Sequence, residues 1–349
     1  MRESLDRSDS SVPIPKTMHY VAAREPGPPE VLSLAEAAVP STKSGEVLIE
    51  VAYAGVNRPD CIQRAGLYPP PPDASPIIGL EVAGKIVALD DGVSEWRVGD
   101  MVCALTPGGG YAEYCTTPAS CCLPFPRGMY ALEAASLPET YFTVWNNVFD
   151  RAHLAAGETI LIHGGSSGIG LTGIQLARAV GAKTIATVGS AEKVKYCLDI
   201  GADHVINYRE QDFVAEVANI TAKRGVNVVL DMVGGDYAQK NLRCLATEGR
   251  MVIVGLLQGG KSSVEWGLLM VKRLTITGST LRASPLSRKA EIAKSLREKV
   301  WPLFEAGKLK SVVHRVFPLA EAAEAHRLME SSAHIGKIML QVASESEPR

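Results

Sequence analysis

The feature that most constrains this chain is an apolar run that passes without a break into a turn of glycine and serine: Thr159-Ile-Leu-Ile-His-Gly-Gly-Ser-Ser-Gly-Ile-Gly170. A short apolar run bounded by glycines reads as a buried strand, and the spacing after it reads as a helix from about Ile169. Without side chains at Gly165, Gly168 and Gly170 the backbone can turn sharply. The start of the helix then presents unpaired N–H groups and the positive end of its dipole. This is the context of a dinucleotide pyrophosphate site, with Gly165, Ser166, Ser167, Gly168, Ile169 and Gly170 as the cradle. Ser167 stands where the usual fingerprint has its second glycine. Its hydroxyl suits a phosphate oxygen, and it suits a helix N-cap equally well.

Which dinucleotide is decided about 20 residues on, where the next strand ends. An Asp or Glu there would grip a ribose 2′-hydroxyl. The strand Thr184–Val188 runs instead into Gly189-Ser-Ala-Glu-Lys193, with small residues at the critical place. Glu192 falls in the first turn of a helix, where acids are common for dipole reasons. Ser190 and Lys193 suit a 2′-phosphate, so the expected cofactor is NADPH.

The chain changes character near Leu137. Before it, short alternating runs such as Glu46–Ala54, Val82–Asp90 and Gly99–Leu105 are separated by Gly, Pro and Asp, as in a small folded-over barrel. After it, strands and helices alternate through Asp231, which means a parallel doubly wound sheet. A helix (Arg288–Phe304), a strand (Val312–Pro318), a short helix (Leu319–Glu330) and a last strand (Gly336–Val342) are expected to rejoin the first domain. The Pro69–Pro72 run cannot supply ladder donors and reads as a surface loop. Residues 1–17 read as a polar tail, and 343–349 as a fraying end.

Bulk properties narrow the partners. A chain of 349 residues with 46% hydrophobic and 21% charged residues has room for two domains. Its net charge of −2 argues against nucleic acid or an anionic membrane as the main partner. No apolar run approaches the roughly 20 residues a membrane span needs. Seven scattered cysteines, without a secretory signal, point to a reducing cytoplasm and to buried thiols.

Two rival enzyme classes fit poorly. The cradle resembles that of short-chain dehydrogenases, yet none of the ten tyrosines is followed four positions later by lysine; Tyr237 and Lys240 miss by one. Zinc enzymes need convergent Cys, His or carboxylate ligands, with paired cysteines for a structural zinc. No Cys-x-x-Cys occurs, and Cys121 and Cys122 are adjacent. No metal is expected.

With the domain order, the cradle and these absences together, the chain resembles the zinc-free quinone oxidoreductases of the medium-chain dehydrogenase/reductase superfamily, nearest the zeta-crystallin-like and p53-inducible group. The resemblance covers Met18 to Val342. It is carried by Gly55-Val-Asn-Arg-Pro-Asp-Cys-Ile-Gln-Arg-Ala-Gly-Leu-Tyr-Pro-Pro-Pro71, Gly79-Leu-Glu-Val-Ala-Gly84, Ala134-Ala-Ser-Leu-Pro-Glu-Thr140, the cradle, and Ile335-Gly-Lys-Ile338. Leu80 stands where the zinc relatives carry a ligand histidine, and Asn57 near their ligand cysteine.

The resemblance implies an α/β fold: a Rossmann doubly wound parallel sheet (143–284) plus a GroES-like β-barrel-type catalytic domain (18–142 and 285–343). It implies that Asn57, Tyr68 and Thr143 border the nicotinamide and substrate. Tyr208 and Lys193 would lie near the adenosine phosphate. Gly255 and Leu256, Ser279 and Leu281, and Lys337 would lie along the cofactor. Glu81 reads as a buried carboxylate pairing with Arg64 or another cation. The implied activity is metal-free transfer of hydride from NADPH to a quinone. An enal or enone reductase, and a low-turnover NADPH-binding protein such as crystallin-like or RNA-binding relatives, stay open. The implied partner is a second copy, joined at sheet edges; the apolar runs Met251–Leu257 and Leu274–Gly278 are candidate edges and read equally as buried strands of one subunit.

Overall fold

The computed structural model describes residues 13–342. The tail and fraying end read above lie outside the described residues over 1–12 and 343–349. The tail also proves shorter than expected, because Thr17 already belongs to β1 (Thr17–Ala23), which pairs antiparallel with β2 (Leu32–Ala38) and sets Thr17 against Ala38. Five more strands follow before the change of rhythm: β3 (Glu46–Val56), β4 (Glu81–Leu89), β5 (Met101–Leu105), β6 (Tyr114–Pro118) and β7 (Cys122–Pro124).

The alternating region supplies β8 (Thr159–His163), β9 (Lys183–Val188), β10 (His204–Asn207), β11 (Val226–Asp231), β12 (Leu245–Ile253) and β13 (Thr275–Gly278). All five neighbouring pairs are parallel, in the order β10-β9-β8-β11-β12-β13. This is the doubly wound arrangement of two mononucleotide-binding halves, whose strand order reverses between β8 and β11. Ile160, Leu161 and Ile162 are fully buried, as a strand covered by helices on both faces must be. The glycine turn sits at the carboxyl end of β8, beside the reversal point.

The closing strands β14 (Val313–Pro318) and β15 (Lys337–Gln341) return to the first sheet, in the order β14-β15-β3-β4-β5-β7 with β6 also on β3. At eleven residues, β3 is long enough to change partners. One edge follows β4; the other pairs with β6 through Glu46–Glu50 and then with β15 through Tyr53–Val56. Register shifts after Leu48 and Val51 bend the strand and begin to fold the sheet over.

Two helices join the halves. Pro138–Val144 continues into Trp145–Arg151 with wider π-type hydrogen bonding, so the boundary expected between residues 142 and 143 falls inside one helical run. The helix from Leu286 runs through a π-type stretch (Leu296–Val300) to Glu305. It buries Ile292, Leu296 and Val300, and the Trp301 indole donates to the Pro124 carbonyl at 2.6 Å. The largest core cluster accordingly mixes Ala83 and Leu105 of one sheet with Ile162 and Leu230 of the other.

Of the two edges expected to join copies, Met251–Leu257 does not qualify over its strand portion. Met251 and Val252 lie buried in β12, which has β11 on one side and β13 on the other. β13, within Leu274–Gly278, is the outermost strand. No helix among the described residues is long and apolar enough to cross a membrane.

Candidate active site

The cradle is closed to side chains. A Cβ at Gly165 would lie 2.7 Å from the Ala186 Cβ, and one at Gly170 only 2.3 Å from the Gly164 carbonyl oxygen. Helix Gly168–Ala179 starts at Ser167, whose hydroxyl accepts from the Gly170 N–H at 3.0 Å. Of the two roles open to Ser167, the N-cap is therefore occupied. The carbonyl of buried Ser166 accepts from the Gly336 N–H at 2.8 Å, so the end of the chain seals the turn. Ile169 packs on the main core.

At the end of β9, Ser190 caps the next helix by accepting from the Lys193 N–H at 3.3 Å. The Lys193 ammonium reaches across to the Ser332 carbonyl, 2.6 Å away, and burial lowers its pKa. A Cβ at Gly189 would meet the Tyr208 hydroxyl at 2.7 Å and the Arg209 Nε at 3.3 Å. Small residues, a hydroxyl and two cations thus surround the spot where an acidic residue would read a bare ribose. Sequence reasoning missed Arg209, although its place next to Tyr208 was the available signal.

Thr143 is buried, and its hydroxyl has no hydrogen-bond partner. The Ser279 hydroxyl is already engaged with Asn147 (2.8 Å) and Asn146 (3.1 Å) in the π-type turn. The Leu281 side chain lies in the core, so only its backbone is free for a cofactor. Gly255 passes close to Met232, whose carbonyl would be 3.2 Å from a Cβ there, while Leu256 is exposed.

Lys337, expected along the cofactor, has its ammonium engaged within the protein. Its ammonium lies 2.6 Å from Glu81 Oε1, 2.6 Å from Asn57 Oδ1 and 3.2 Å from the Val56 carbonyl. Two hydrogen bonds and an ion pair thus hold the ammonium inside the protein. Its stem walls the cradle, with Cδ 2.8 Å from where a Cβ of Gly168 would stand. Glu81 is thus the buried carboxylate that was expected, but its cation is Lys337. Arg64 pairs with Glu330 at 2.5 Å and contacts His326. The Asn57 amide is also spent here, donating to Glu81 at 2.9 Å. The other Glu81 oxygen accepts the Glu139 N–H at 2.8 Å, fixing the first turn of helix Pro138–Val144.

Beside this cluster, Asp60 is fully buried and accepts from the Asn57 N–H (2.7 Å) and the Tyr111 hydroxyl (3.2 Å). Burial lifts its carboxyl to about 7. Tyr68 lies half-buried under the Arg282 guanidinium, 5.5 Å from the ring centre. Desolvation, with Glu139 adding, raises its hydroxyl pKa, while Arg282 pulls it down. Glu139 is itself lifted to about 8 by desolvation and by Glu81. Sequence reasoning missed both Glu139 and Arg282. Glu139 lies inside the quoted run Ala134–Thr140 and Arg282 directly follows Leu281, but only the fold brings them to Tyr68.

The residues present fit a dinucleotide: a tight turn whose Gly165, Gly168 and Gly170 admit no Cβ, leading into a helix N-terminus, and a buried Thr143 hydroxyl without a partner. They do not fit a zinc ion, since no group of three or more His, Cys, Asp or Glu among the described residues could hold a metal. All seven cysteines are buried free thiols.

Comparison with known proteins agrees with this geometry. The profile described as "Alcohol dehydrogenase GroES-like domain" matches residues 43–127, and "Zinc-binding dehydrogenase" matches 168–298. The quinone oxidoreductase of Rattus norvegicus is 34% identical over 328 residues, which are 93% of this chain and 98% of that one. The structure of the Escherichia coli quinone oxidoreductase complexed with NADPH superposes with a TM-score of 0.83 at 31% identity, covering 93% of this chain and all of that one. The CurK enoyl reductase gives 0.83 at 30% identity, covering 94% and 100%.

Proposed function

The chain belongs to the quinone oxidoreductase family of the medium-chain dehydrogenase/reductase superfamily, and on that premise we propose that it is an NADPH-dependent, zinc-independent reductase of quinones. The observation that carries this reading is the glycine turn at the carboxyl end of β8, where Gly165, Gly168 and Gly170 leave no room for a Cβ and the helix from Gly168 begins. When bound, the dihydronicotinamide supplies the hydride.

The protein's own contribution is placement. The cradle and the N-terminus of helix Gly168–Ala179 hold the pyrophosphate. Lys193, Arg209, Tyr208 and Ser190 meet the 2′-phosphate, and the backbone at 255–256 and 279–281 borders the cofactor. Thr143 donates to the carboxamide end, and Tyr68 lines the acceptor's side. Asn57 positions the cleft through its bonds to Glu81 and Lys337. Holding donor and acceptor face to face supplies most of the rate enhancement. We assign the nucleotide half to 143–284, and the acceptor half to 18–142 with 285–343. Seven buried free thiols support a reducing, cytoplasmic setting.

A second reading, reduction of a conjugated enal or enone, is favoured by the likeness to an enoyl reductase. Both readings predict NADPH oxidation, and they differ in the acceptor. The test is steady-state oxidation of NADPH and of NADH with ortho-quinones, para-quinones and alkenals, in wild type and Lys193→Ala. Preference for NADPH that is lost in the variant, with turnover of quinones, supports the proposal. Equal use of the two cofactors in wild type removes the NADPH assignment, and binding without turnover of any acceptor leaves only a cofactor-binding protein.

A further inference from the structure

Arg282 is a buried cation with a donor to spare. It is 8% exposed, its Nε donates to the Pro107 carbonyl and its Nη1 to Gln63 Oε1, each at 2.8 Å, and its Nη2 has no partner. No carboxylate among the described residues lies within ion-pairing distance of it. A buried guanidinium without a counter-charge is costly, and a buried N–H left unpaired adds to that cost. Two fixed acceptors and the ring of Tyr68 nevertheless hold this one rigidly. Its Nη2 lies close to Gly108, 3.3 Å from where a Cβ of that residue would stand, so a side chain there would crowd it.

The surroundings indicate what is missing. Tyr68 forms one wall, and Glu139, whose backbone is pinned by Glu81, stands near enough to act electrostatically on both Tyr68 and Arg282. Glu139 keeps its proton near neutral pH and so does not cancel the arginine's charge. A neutral apolar ligand would leave Nη2 unpaired. An oxygen that carries or develops negative charge would satisfy it.

We propose that Arg282 Nη2 binds the carbonyl oxygen of the hydride acceptor and stabilises the charge that gathers there during reduction. This rests on the reductase reading above and extends it to a substrate class, acceptors whose reducible carbon is conjugated to a carbonyl. As hydride adds to that carbon, the conjugated electron pair moves onto the oxygen to give an enolate, and NADPH becomes NADP⁺; in a quinone that carbon then returns one proton to solvent as the second carbonyl oxygen takes one, which turns the enolate into a phenolate. The oxygen then takes a proton from solvent. A pre-set donor aimed at such an oxygen acts where charge develops, which is where a hydrogen bond accelerates a reaction most.

The test compares wild type with Arg282→Met and Arg282→Lys. Loss of such a donor lowers kcat by about 100-fold to 1000-fold. We therefore expect Arg282→Met to lose about that factor with 1,2-naphthoquinone while its NADPH affinity, read by fluorescence titration, stays unchanged. Arg282→Lys should recover part of the loss. In parallel, 4-nitrophenolate, a stable phenolate, is titrated into each protein saturated with NADP⁺, and it should bind wild type at least about 10-fold more tightly than Arg282→Met, a difference of about 1.4 kcal/mol. Unchanged quinone turnover in Arg282→Met overturns the inference and leaves the reductase reading intact. If wild type turns over no acceptor, the reductase reading fails and the phenolate titration still decides: equal binding, or none, to wild type and Arg282→Met rejects the anion site.

Discussion

Replacing Lys337 with methionine isolates what the buried pair with Glu81 does. The two groups are 2.6 Å apart, Glu81 is fully buried and Lys337 nearly so. Methionine keeps most of the stem that walls Gly168 and removes only the ammonium. Glu81 would keep hydrogen bonds from Asn57 and the Glu139 N–H, but dipoles do not neutralise a buried charge. Breaking such a pair from one side costs about 3–5 kcal/mol. Equilibrium urea unfolding at pH 7, followed by the fluorescence of buried Trp301, should show a loss of that size.

Glu81→Gln alone should cost a similar amount, because it strands the cation. The double variant should cost clearly less than the sum, since no uncompensated charge remains, and the difference is a coupling of about 2 kcal/mol or more. NADPH affinity of folded Lys337→Met should stay within about threefold of wild type, as the ammonium is engaged with Glu81, Asn57 and the Val56 carbonyl. A single-variant cost below about 1 kcal/mol, or strict additivity, would refute the buried pair. A tenfold loss of NADPH affinity with unchanged stability would restore Lys337 as a cofactor contact.

The Asp60 carboxyl is raised to about 7 in the fold against 3.8 when free, so between about pH 4 and 7 the unfolded chain has released a proton that the native state keeps. Stability present at low pH is therefore lost as pH rises through that window, by up to about 1.4 kcal/mol per unit. Asp60→Asn should flatten that part of a plot of urea midpoint against pH, and an unchanged slope would show that Asp60 is not the group responsible. Gly170→Ala places a methyl 2.3 Å from the Gly164 carbonyl; NADPH fluorescence titration should give at least a tenfold weaker affinity, and wild-type affinity would mean the turn has room it does not show. Outermost strand β13 lies next in the chain to helix Trp266–Lys272, whose Trp266, Met270 and Val271 are 63%, 78% and 76% exposed. We propose that this edge joins two copies, so light scattering should report a dimer for wild type and a monomer for Met270→Glu/Val271→Glu, whereas a monomeric wild type would reject the interface.

What could be read from the sequence follows from how local each feature is. The cradle is contained in twelve consecutive residues from Thr159 to Gly170, and its glycines carry their reason with them, because a turn that admits no Cβ admits no other residue. The absence of an acid after Thr184–Val188 is equally local. The change from alternating runs to a strand and helix rhythm was visible near Leu137, but the helix that straddles residues 142 and 143 was not, because a helix that joins two sheets presents apolar residues on several faces. The two readings open for Met251–Leu257, sheet edge or buried strand, have the same origin: an apolar run says that a strand is covered, not by what, and β12 proves to be buried between β11 and β13.

Of the residues proposed to reach the acceptor, Tyr68 was named from its motif while Glu139 and Arg282 were not, for a reason that bears on how this fold changes substrates. Lys337 and Asn57 are 280 residues apart, and their motifs were each recognised without any sign that one ammonium satisfies the other's amide. Tyr68, Glu139 and Arg282 come from a loop after the first helix, the first turn of the linking helix and the turn after β13. Binding the cofactor needs backbone geometry, which a short run of sequence can specify. Reading the acceptor needs charge and shape from side chains on separate elements, which only packing brings together. On the proposed function, substitutions at 68, 139 or 282 therefore retune the acceptor while the cradle still holds the cofactor.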